Sequence, residues 1–577
     1  MNRSIKALSR TFFLNALDFR SLERRLLLFV LCCSVFMKWI LINYGIPYKI
    51  HVDEMAILTD PFKILLMYAE GNFSTPTNIL NWLYLIWYAI VFAIGLIFNQ
   101  WDNFAEFKLF MISENSSFLL SGRMFSLLIS TFGSLVLTKL IFKITPAAIF
   151  RIIFSLIVVF NPIEINANNW VKFDPLAYLS YALILHTAHR YFIENNHEKR
   201  KLLYTFLILA LAVRIETIGF LIGCFLFDIF CFRGEISKLE KLKHALPTII
   251  KSFLFYAILT LLPFVLLYKY LHPVALGLTN SETFEQAIVS KLIKQSGSVI
   301  TNILNSSYYL QALFALLGPV LIIVFFINAR KKKLGFVYFS FFVLALVLTL
   351  FFVKHTHYLL GVSVLIIYSA LIFISGIRSY RVRYLCSMFT LIWMVSYDAS
   401  LLYQVLSVGD VRVQVKDYLM KNTTSNDYIF VEGVFSQIKD SPERYGLRSI
   451  ASKELGGGTG LSTELLSKTL KKEDTRNIIE VSDYDYYKGS KYEGVFTNKH
   501  DTNQFKLLKP KYFLFEGGDY WDYKMEKKLN NNIHQDFYKF ILSYYVLDKS
   551  FLYDINDPRL KYKNHYYFIP FLVYKLK

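Results

Sequence analysis

The apolar run LLLFVLCCSVFMKWILINY, from Leu26 to Tyr44, is long enough to cross the hydrocarbon core of a membrane as one helix. Shortly after it, the segment IHVDEM, from Ile50 to Met55, contains the adjacent carboxylates Asp53 and Glu54. Charge so close to a bilayer is costly and often marks a functional position. The acidic pair is interpreted as a general base, a cation site or a solvated loop, and a dipeptide alone does not separate these interpretations.

The composition predicts a membrane protein. Of the 577 residues, 55% are hydrophobic and 18% are charged, and the mean hydropathy is +0.39, which is too apolar for a set of soluble domains. The net charge is +20, but many Lys and Arg residues sit in short clusters between apolar runs, as the positive-inside rule explains, so nucleic-acid binding is not expected. The five cysteines lie in or beside apolar runs and indicate neither disulfides nor a Cys-based metal site.

Basic clusters set the predicted topology. The basic tail from Met1 to Arg25 precedes an apolar run without a cleavage pattern, so we expect it to stay in the cytoplasm while the first helix runs outward. The chain is therefore predicted to be a polytopic α-helical membrane protein with about eleven crossings, its amino end inside and its carboxyl end outside. Further inside signals are Lys139, Lys143 and Arg151, then residues 197–201, 233–243, 330–333 and 378–383.

Four apolar stretches need individual interpretation. Ile79 to Phe98 is rich in Trp and Tyr, and the external region from 46 to 117 starts and ends outside, so this stretch is predicted to be interfacial or re-entrant. Leu202 to Phe232 is too long for one straight helix, and we predict a hairpin with Arg214-Ile215-Glu216 at its outer tip. Ile149 to Ile163 and Leu310 to Ile327 are predicted to be single crossings, without paired broken helices.

The polar content rises from Gln404 onward, which predicts three regions: a cytoplasmic tail at 1–25, a transmembrane module at 26–403 and an outer α/β domain at 404–577. In the last, Asp410 to Lys421 has helical spacing, whereas Tyr428 to Glu432 and Lys511 to Phe515 are typical of short buried strands. The glycines from Gly456 to Gly460 lack a following Lys-Ser/Thr, so they predict a flexible loop and not a phosphate-binding one.

The topology places charged and polar side chains at the outer ends of helices. Such a mixture suits a substrate with an anionic phosphate and a hydroxyl, because cations hold the phosphate and a carboxylate acts as the base. Taken singly, each residue is equally well explained as an ordinary interfacial residue. The set comprises Asp53, Glu54, Arg123, Lys172, Asp174, Arg214, Glu216, Lys354, His355, His357 and Tyr358.

Several of these residues occur in motifs whose order resembles the GT-C membrane glycosyltransferases, in particular the protein O-mannosyltransferase and aminoarabinose transferase branch. The motifs are His51-Val52-Asp53-Glu54, Gly122-Arg123-Met124-Phe125-Ser126, Lys172-Phe173-Asp174-Pro175 and Val213-Arg214-Ile215-Glu216. The start of the outer domain, from Asp410 to Val431, is similar to the extracytoplasmic domain of many such bacterial enzymes. The resemblance covers most of residues 25 to 435, by motif order and not by long identities.

The resemblance implies a glycosyltransferase of the cell (inner) membrane that moves a hexose or pentose from a polyprenyl-phosphate carrier to a glycolipid, polysaccharide or protein acceptor. It implies catalytic roles for Asp53, Glu54 and Asp174, with Asp53 as the base. Substrate binding would fall to His51, Arg123, Lys172, Arg214, Glu216, Lys354, His355, His357 and Tyr358.

The chain departs from the family pattern at two places. Arg214 stands where a Lys is usual in the hairpin, and Lys354-His355-Thr356-His357-Tyr358 stands where an Arg-Tyr signature is usual. Both departures keep positive charge, but Arg is a planar fork and Lys a point charge, so the phosphate geometry is expected to differ. No cofactor is firmly implied, although His355 and His357 with Asp53 or Glu54 are candidate ligands for a divalent metal.

Two alternatives stay open. In a transporter or flippase for lipid-linked sugars, the same charges would line a pathway, although the sequence shows no inverted repeat. A polysaccharide polymerase or ligase also uses lipid-linked sugar, but it is not expected to have the acidic pair of the first loop.

Overall fold

The structure, a computed structural model, describes separate stretches of the chain. They are residues 22–43, 79–104, 106–107, 115–168, 171–231, 246–247, 250–251, 254, 299–329, 331–351, 356–408, 410–432, 439–454, 467, 471–481, 497–498, 502–516, 535–551 and 571–577. The predictions for His51, Asp53, Glu54, Lys354 and His355 lie outside these residues.

Thirteen helices of the described residues belong to the apolar part of the chain. They are α1 (Leu22–Ile42), α2 (Ile79–Ile97), α3 (Asn115–Ile144), α4 (Ala148–Val159), α5 (Pro162–Asn168), α6 (Asp174–Ala188), α7 (Lys199–Val213), α8 (Ile218–Leu226), α9 (Val299–Leu317), α10 (Pro319–Asn328), α11 (Gly335–Phe351), α12 (Leu360–Ser375) and α13 (Tyr380–Val408). Short 3₁₀ or π turns extend several of them, at His189–Ile193, Ile215–Thr217, Phe227–Cys231, Lys332–Leu334 and Thr356–Leu359.

The predicted architecture is confirmed: the chain is a polytopic helical membrane protein with a small α/β domain at its carboxyl end. Within the described residues, five helical stretches are long and apolar enough to cross a membrane, or up to seven if each of two bent pairs counts as one span. The prediction of about eleven crossings also includes residues outside the described stretches, and it stays a prediction. The interfacial placement of α2 likewise stays a prediction.

The predicted hairpin is confirmed. Helix α7 ends at Val213 and α8 begins at Ile218. Near the start of α7, Arg200 contacts Asp228, which follows α8, with Nη2 and Oδ2 2.8 Å apart. Because the start of α7 lies beside the end of α8, the two helices run antiparallel, and Arg214 lies at the opposite end of the pair, where they are joined.

Polar contacts identify the two ends of the helical bundle. At the start of α1, Oε1 of Glu23 accepts a hydrogen bond from Nη1 of Arg151 at 2.8 Å, and we name this the Glu23 end. At the finish of α1, the carbonyl of Ile42 accepts a hydrogen bond from Nη1 of Arg123 at 3.0 Å, and we name this the Ile42 end. Which end faces the cytoplasm stays a prediction from the basic residues.

Two stretches that the sequence predicts as single crossings are each bent in the structure, and their crossing once stays a prediction. Helices α4 and α5 meet at 43°, and α9 and the helix after it meet at 108°. Proline begins the second helix in each pair, at Pro162 and Pro319, and its ring disrupts a continuing helix. Gly318 has φ 84°, a conformation that L residues with a side chain rarely adopt, and it allows the sharper bend.

The described part of the carboxyl-terminal domain contains a mixed sheet and four helices. The elements are α14 (Val411–Asn422), β1 (Tyr428–Glu432), β2 (Lys439–Asp440), α15 (Pro442–Glu454), β3 (Thr475–Val481), β4 (Thr497–Asn498), α16 (Thr502–Leu508), β5 (Tyr512–Glu516), α17 (Gln535–Tyr544), β6 (Tyr545–Phe551) and β7 (Phe571–Leu576). The strand order is β2-β3-β1-β5-β7-β6, with β4 paired to β3. Strand β1 is parallel to β3 and β5, while β7 is antiparallel to β5 and β6.

The alternation of side chains along β1 gives this domain two apolar layers. Ile429 and Val431 pack on one face with residues of α14, whereas Phe430 packs on the other face with Phe505 and Phe513. The predicted helix and both predicted strands are therefore present. The glycine run from Gly456 to Gly460 lies outside the described residues.

Candidate functional site

Arg214 joins two carboxylates that the sequence places in different motifs. Its Nη1 donates a hydrogen bond to Oδ1 of Asp174, the first residue of α6. Its Nε lies 2.7 Å from Oε1 of Glu216, an ionic contact without hydrogen-bond geometry. All three side chains are largely buried, with relative exposures of 11% for Arg214, 1% for Asp174 and 4% for Glu216. Such an arrangement fixes the carboxylates because a buried charge is stable only with a partner.

Aromatic side chains cover this charged cluster. The guanidinium of Arg214 lies 5.1 Å from the ring centre of Tyr358, within the range of a cation–π contact. The ring of His357 lies 4.2 Å from that of Tyr358. Both residues belong to the 3₁₀ turn Thr356–Leu359, which packs against α5.

The cluster lies at the Ile42 end of the bundle. Helices α3 and α6 run in the same direction, since Ser134 contacts Tyr178 near the start of α6 and Lys143 contacts Glu194 beyond its finish. Asp174 therefore lies toward the same end as Arg123, which precedes Ser134 on α3. There the guanidinium of Arg123 donates to the carbonyl of Ile42, one of the acceptors that a helix leaves unsatisfied at its carboxyl end.

The structure thus brings together five of the predicted site residues: Asp174, Arg214, Glu216, His357 and Tyr358. Lys172 is buried and two residues from Asp174, and Arg123 is buried at the same end. One N–H group of Arg214 donates to Asp174, and its Nε lies in ionic contact with Glu216, so the guanidinium is committed in part to organising carboxylates. The structure leaves the predicted catalytic and binding roles untested.

A second buried ion pair was missed by the sequence analysis. Nζ of Lys38, in α1, lies 2.5 Å from Oε1 of Glu164, in α5, and both side chains are almost fully buried. A signal was present, because Lys38 stands alone inside an apolar run and charged residues inside membrane segments are often functional. No local pattern indicates the partner, since Glu164 lies far along the chain.

The metal alternative is not decided by these residues. Within the described stretches, no group of three or more His, Cys, Asp or Glu side chains could hold a metal ion. The alternative relied on His355, Asp53 and Glu54, which lie outside those stretches. It therefore stays a prediction.

Comparisons with known proteins give distant structural similarities. No protein-family model matches the sequence, and no curated protein matches it. Among solved structures, the chain is similar to ArnT from Cupriavidus metallidurans, in a crystal structure bound to undecaprenyl phosphate, with a TM-score of 0.44 and 10% identity. The match covers 96% of this chain and 98% of that chain. A similarity at this level does not assign a family.

Proposed function

We propose that the protein is a GT-C membrane glycosyltransferase of the cell (inner) membrane, which moves a hexose or pentose from a polyprenyl-phosphate donor to an acceptor at the extracytoplasmic face. The observation that supports this most is the contact of Asp174 with Arg214, beside Tyr358. These residues come from three separate motifs of the resemblance, yet they meet at one end of the bundle. Independent interfacial residues would have no reason to converge.

In the proposed reaction, the acceptor hydroxyl gives its proton to the carboxylate of Asp53 as its oxygen bonds to the anomeric carbon of the sugar. The bond from that carbon to the phosphate oxygen breaks, and polyprenyl phosphate leaves with the electron pair. A phosphate is already a good leaving group, so one base and several cations suffice. A single displacement of this kind inverts the anomeric centre, as in inverting glycosidases.

Residues of the described cluster would support this chemistry by position. We infer that Asp174 orients the acceptor or a neighbouring cation, and that Arg214 holds Asp174 and Glu216 while its remaining N–H groups face the phosphate. Lys172, Lys354 and Arg123 would supply the other positive charges. A phosphate needs such charges because charge-assisted hydrogen bonds are the strong ones. The amino end would lie in the cytoplasm, and the carboxyl-terminal domain outside.

The direct test is the release of free polyprenyl phosphate by the purified full-length protein. It would be incubated with an acceptor extract and undecaprenyl phosphate that carries radiolabelled hexoses or pentoses, one sugar at a time. We expect one sugar to pass to the acceptor fraction, with one equivalent of free undecaprenyl phosphate formed. The proposal would be contradicted if none of the tested hexoses and pentoses were released from its carrier with membrane extract as the acceptor.

A transporter or flippase is the second candidate, and a structural observation now favours it. The sequence analysis expected no paired broken helices, whereas α4–α5 and α9–α10 are both bent at a proline. Broken helices often form transporter binding sites. A flippase would move the intact lipid-linked sugar across a vesicle bilayer without cleaving it, so the release assay separates the two functions.

Lys354→Ala is expected to raise the apparent KM for the donor, because it removes a charge-assisted contact with the phosphate. Such a contact contributes about 1.5–3 kcal/mol, which corresponds to roughly 10- to 150-fold in binding. Lys332→Ala is the matched control, since it removes a lysine from the basic cluster predicted to be cytoplasmic. Unchanged donor affinity in Lys354→Ala would place the phosphate site elsewhere.

A further inference from the structure

Helix α5 is buried along its whole length although three of its seven residues are polar. All residues from Pro162 to Asn168 are buried, and they include Glu164, Asn166 and Asn168. Three acceptor oxygens, Oε2 of Glu164 and Oδ1 of both asparagines, receive no hydrogen bond from the part of the chain that the structure describes. Burying polar groups in this way is costly. A helix that only filled space would be expected to be apolar.

Polar contacts fix α5 to helices on opposite sides of it. Oε1 of Glu164 meets Nζ of Lys38 on α1, and that Nζ also donates to Oγ of Ser130 on α3 at 3.0 Å. On another side, Nδ2 of Asn166 donates to the hydroxyl of Tyr397 on α13 at 2.9 Å. The contacts of Glu164 and Asn166 go to different sides of α5 because side chains two residues apart lie on nearly opposite faces of a helix.

The chain leaves α5 directly toward the charged cluster. Asn168, whose Nδ2 donates to Oε1 of Glu164 at 2.8 Å, is followed closely by Val171, Lys172 and Asp174. The Lys38 ammonium also lies 6.0 Å from the ring centre of Tyr178, one turn of α6 after Asp174. The Lys38–Glu164 pair is therefore connected to Asp174 along the chain and through space.

We propose that the Lys38–Glu164 pair and the Asn166–Tyr397 hydrogen bond are positioning contacts, which hold α5 so that the 171–174 segment presents Asp174 to Arg214. Their importance for sugar transfer rests on the proposed function. The positioning itself does not. It predicts that loss of these contacts loosens the 171–174 segment while the distant parts of the same helices stay packed.

A buried reporter cysteine tests this without any substrate. In the full-length protein with its five cysteines replaced by alanine, Val171→Cys reports on the segment and Ala188→Cys reports on the far end of α6, since both positions are fully buried. The rate of reaction with N-ethylmaleimide measures opening at each site. The paired variant Lys38→Met/Glu164→Gln removes both charges together, so that neither is left buried without its partner.

We expect the paired variant to raise the labelling rate at position 171 at least tenfold and to leave position 188 within twofold. Tyr397→Phe, which removes a single oxygen and is mild enough to fold, is expected to raise the rate at 171 at least threefold. The matched control is Ser34→Ala/Thr131→Val, because these hydroxyls also join α1 to α3, 3.5 Å apart, without touching α5. It should stay within twofold at both positions.

The proposal would be overturned if the labelling rate at position 171 stayed within twofold of the parent in Tyr397→Phe and, where it folds, in the paired variant. Equal increases at 171 and 188 would overturn it as well, because they would indicate general loosening. A selective increase at 171 supports the positioning role whether or not undecaprenyl phosphate is released in the transfer assay. Failure of the proposed function is therefore seen separately, in that assay alone.

Discussion

Asp53→Asn is expected to lower kcat for sugar transfer by about 10²–10⁴-fold, because a positioned general base contributes that much to rate. The amide keeps the shape of the carboxylate but cannot take the proton from the acceptor hydroxyl. Asp53 comes shortly after α1 in the sequence, so it can reach the level of a phosphate whose lipid stays in the bilayer. The measurement is single-turnover transfer with saturating donor, with expression and donor binding unchanged.

Two further variants in the same loop sharpen this test. Asp60→Asn is the matched control, since it removes a carboxylate from the same region without touching the motif, and it should keep near-normal transfer. Glu54→Gln is expected to have a smaller effect than Asp53→Asn, in line with a role in shaping the loop or binding the acceptor. Near-normal transfer by both Asp53→Asn and Glu54→Gln would mean that the acidic pair has no catalytic role.

The sequence predicts best those features that depend on local patterns. The charged tip at Arg214 interrupts an apolar run, and the structure has a helix break there with antiparallel helices on either side. Strand β1 has the predicted bounds, Tyr428–Glu432, because a short continuous apolar run with a polar turn before it is a short-range signal. Each of these features is determined by residues close together in the chain.

Partners across the bundle are not predictable in that way. The sequence analysis assigned Arg214 to a phosphate, and no local pattern could show that Asp174, which belongs to another motif, contacts it. The bend at Gly318 has a local signal in Gly318-Pro319, yet the apolar run around it outweighed that signal in the assignment of one crossing. Whether a proline kinks a span or ends it depends on what packs beside it.

The Lys38–Glu164 pair is expected to behave as one unit in stability. Glu164→Gln alone should lower the free energy of unfolding by about 3–5 kcal/mol, since it leaves the Lys38 ammonium buried without its partner. Lys38→Met alone should also destabilise strongly, because the carboxylate of Glu164 then keeps, among the described residues, only the amide of Asn168 as a donor. Unfolding by SDS in mixed micelles gives these free energies.

The paired variant Lys38→Met/Glu164→Gln is expected to be more stable than either single variant, because it buries no charge, and such replacements are often neutral or stabilising. Ser34→Ala is the control for an uncharged polar contact of α1, which it makes with Thr131 on α3 and whose loss should cost only about 0.6 kcal/mol. Additive losses in the paired variant would show that Lys38 and Glu164 do not form a coupled buried pair. If the paired variant regains stability but still shows faster labelling at position 171, the effect of the pair on positioning is separate from its effect on folding.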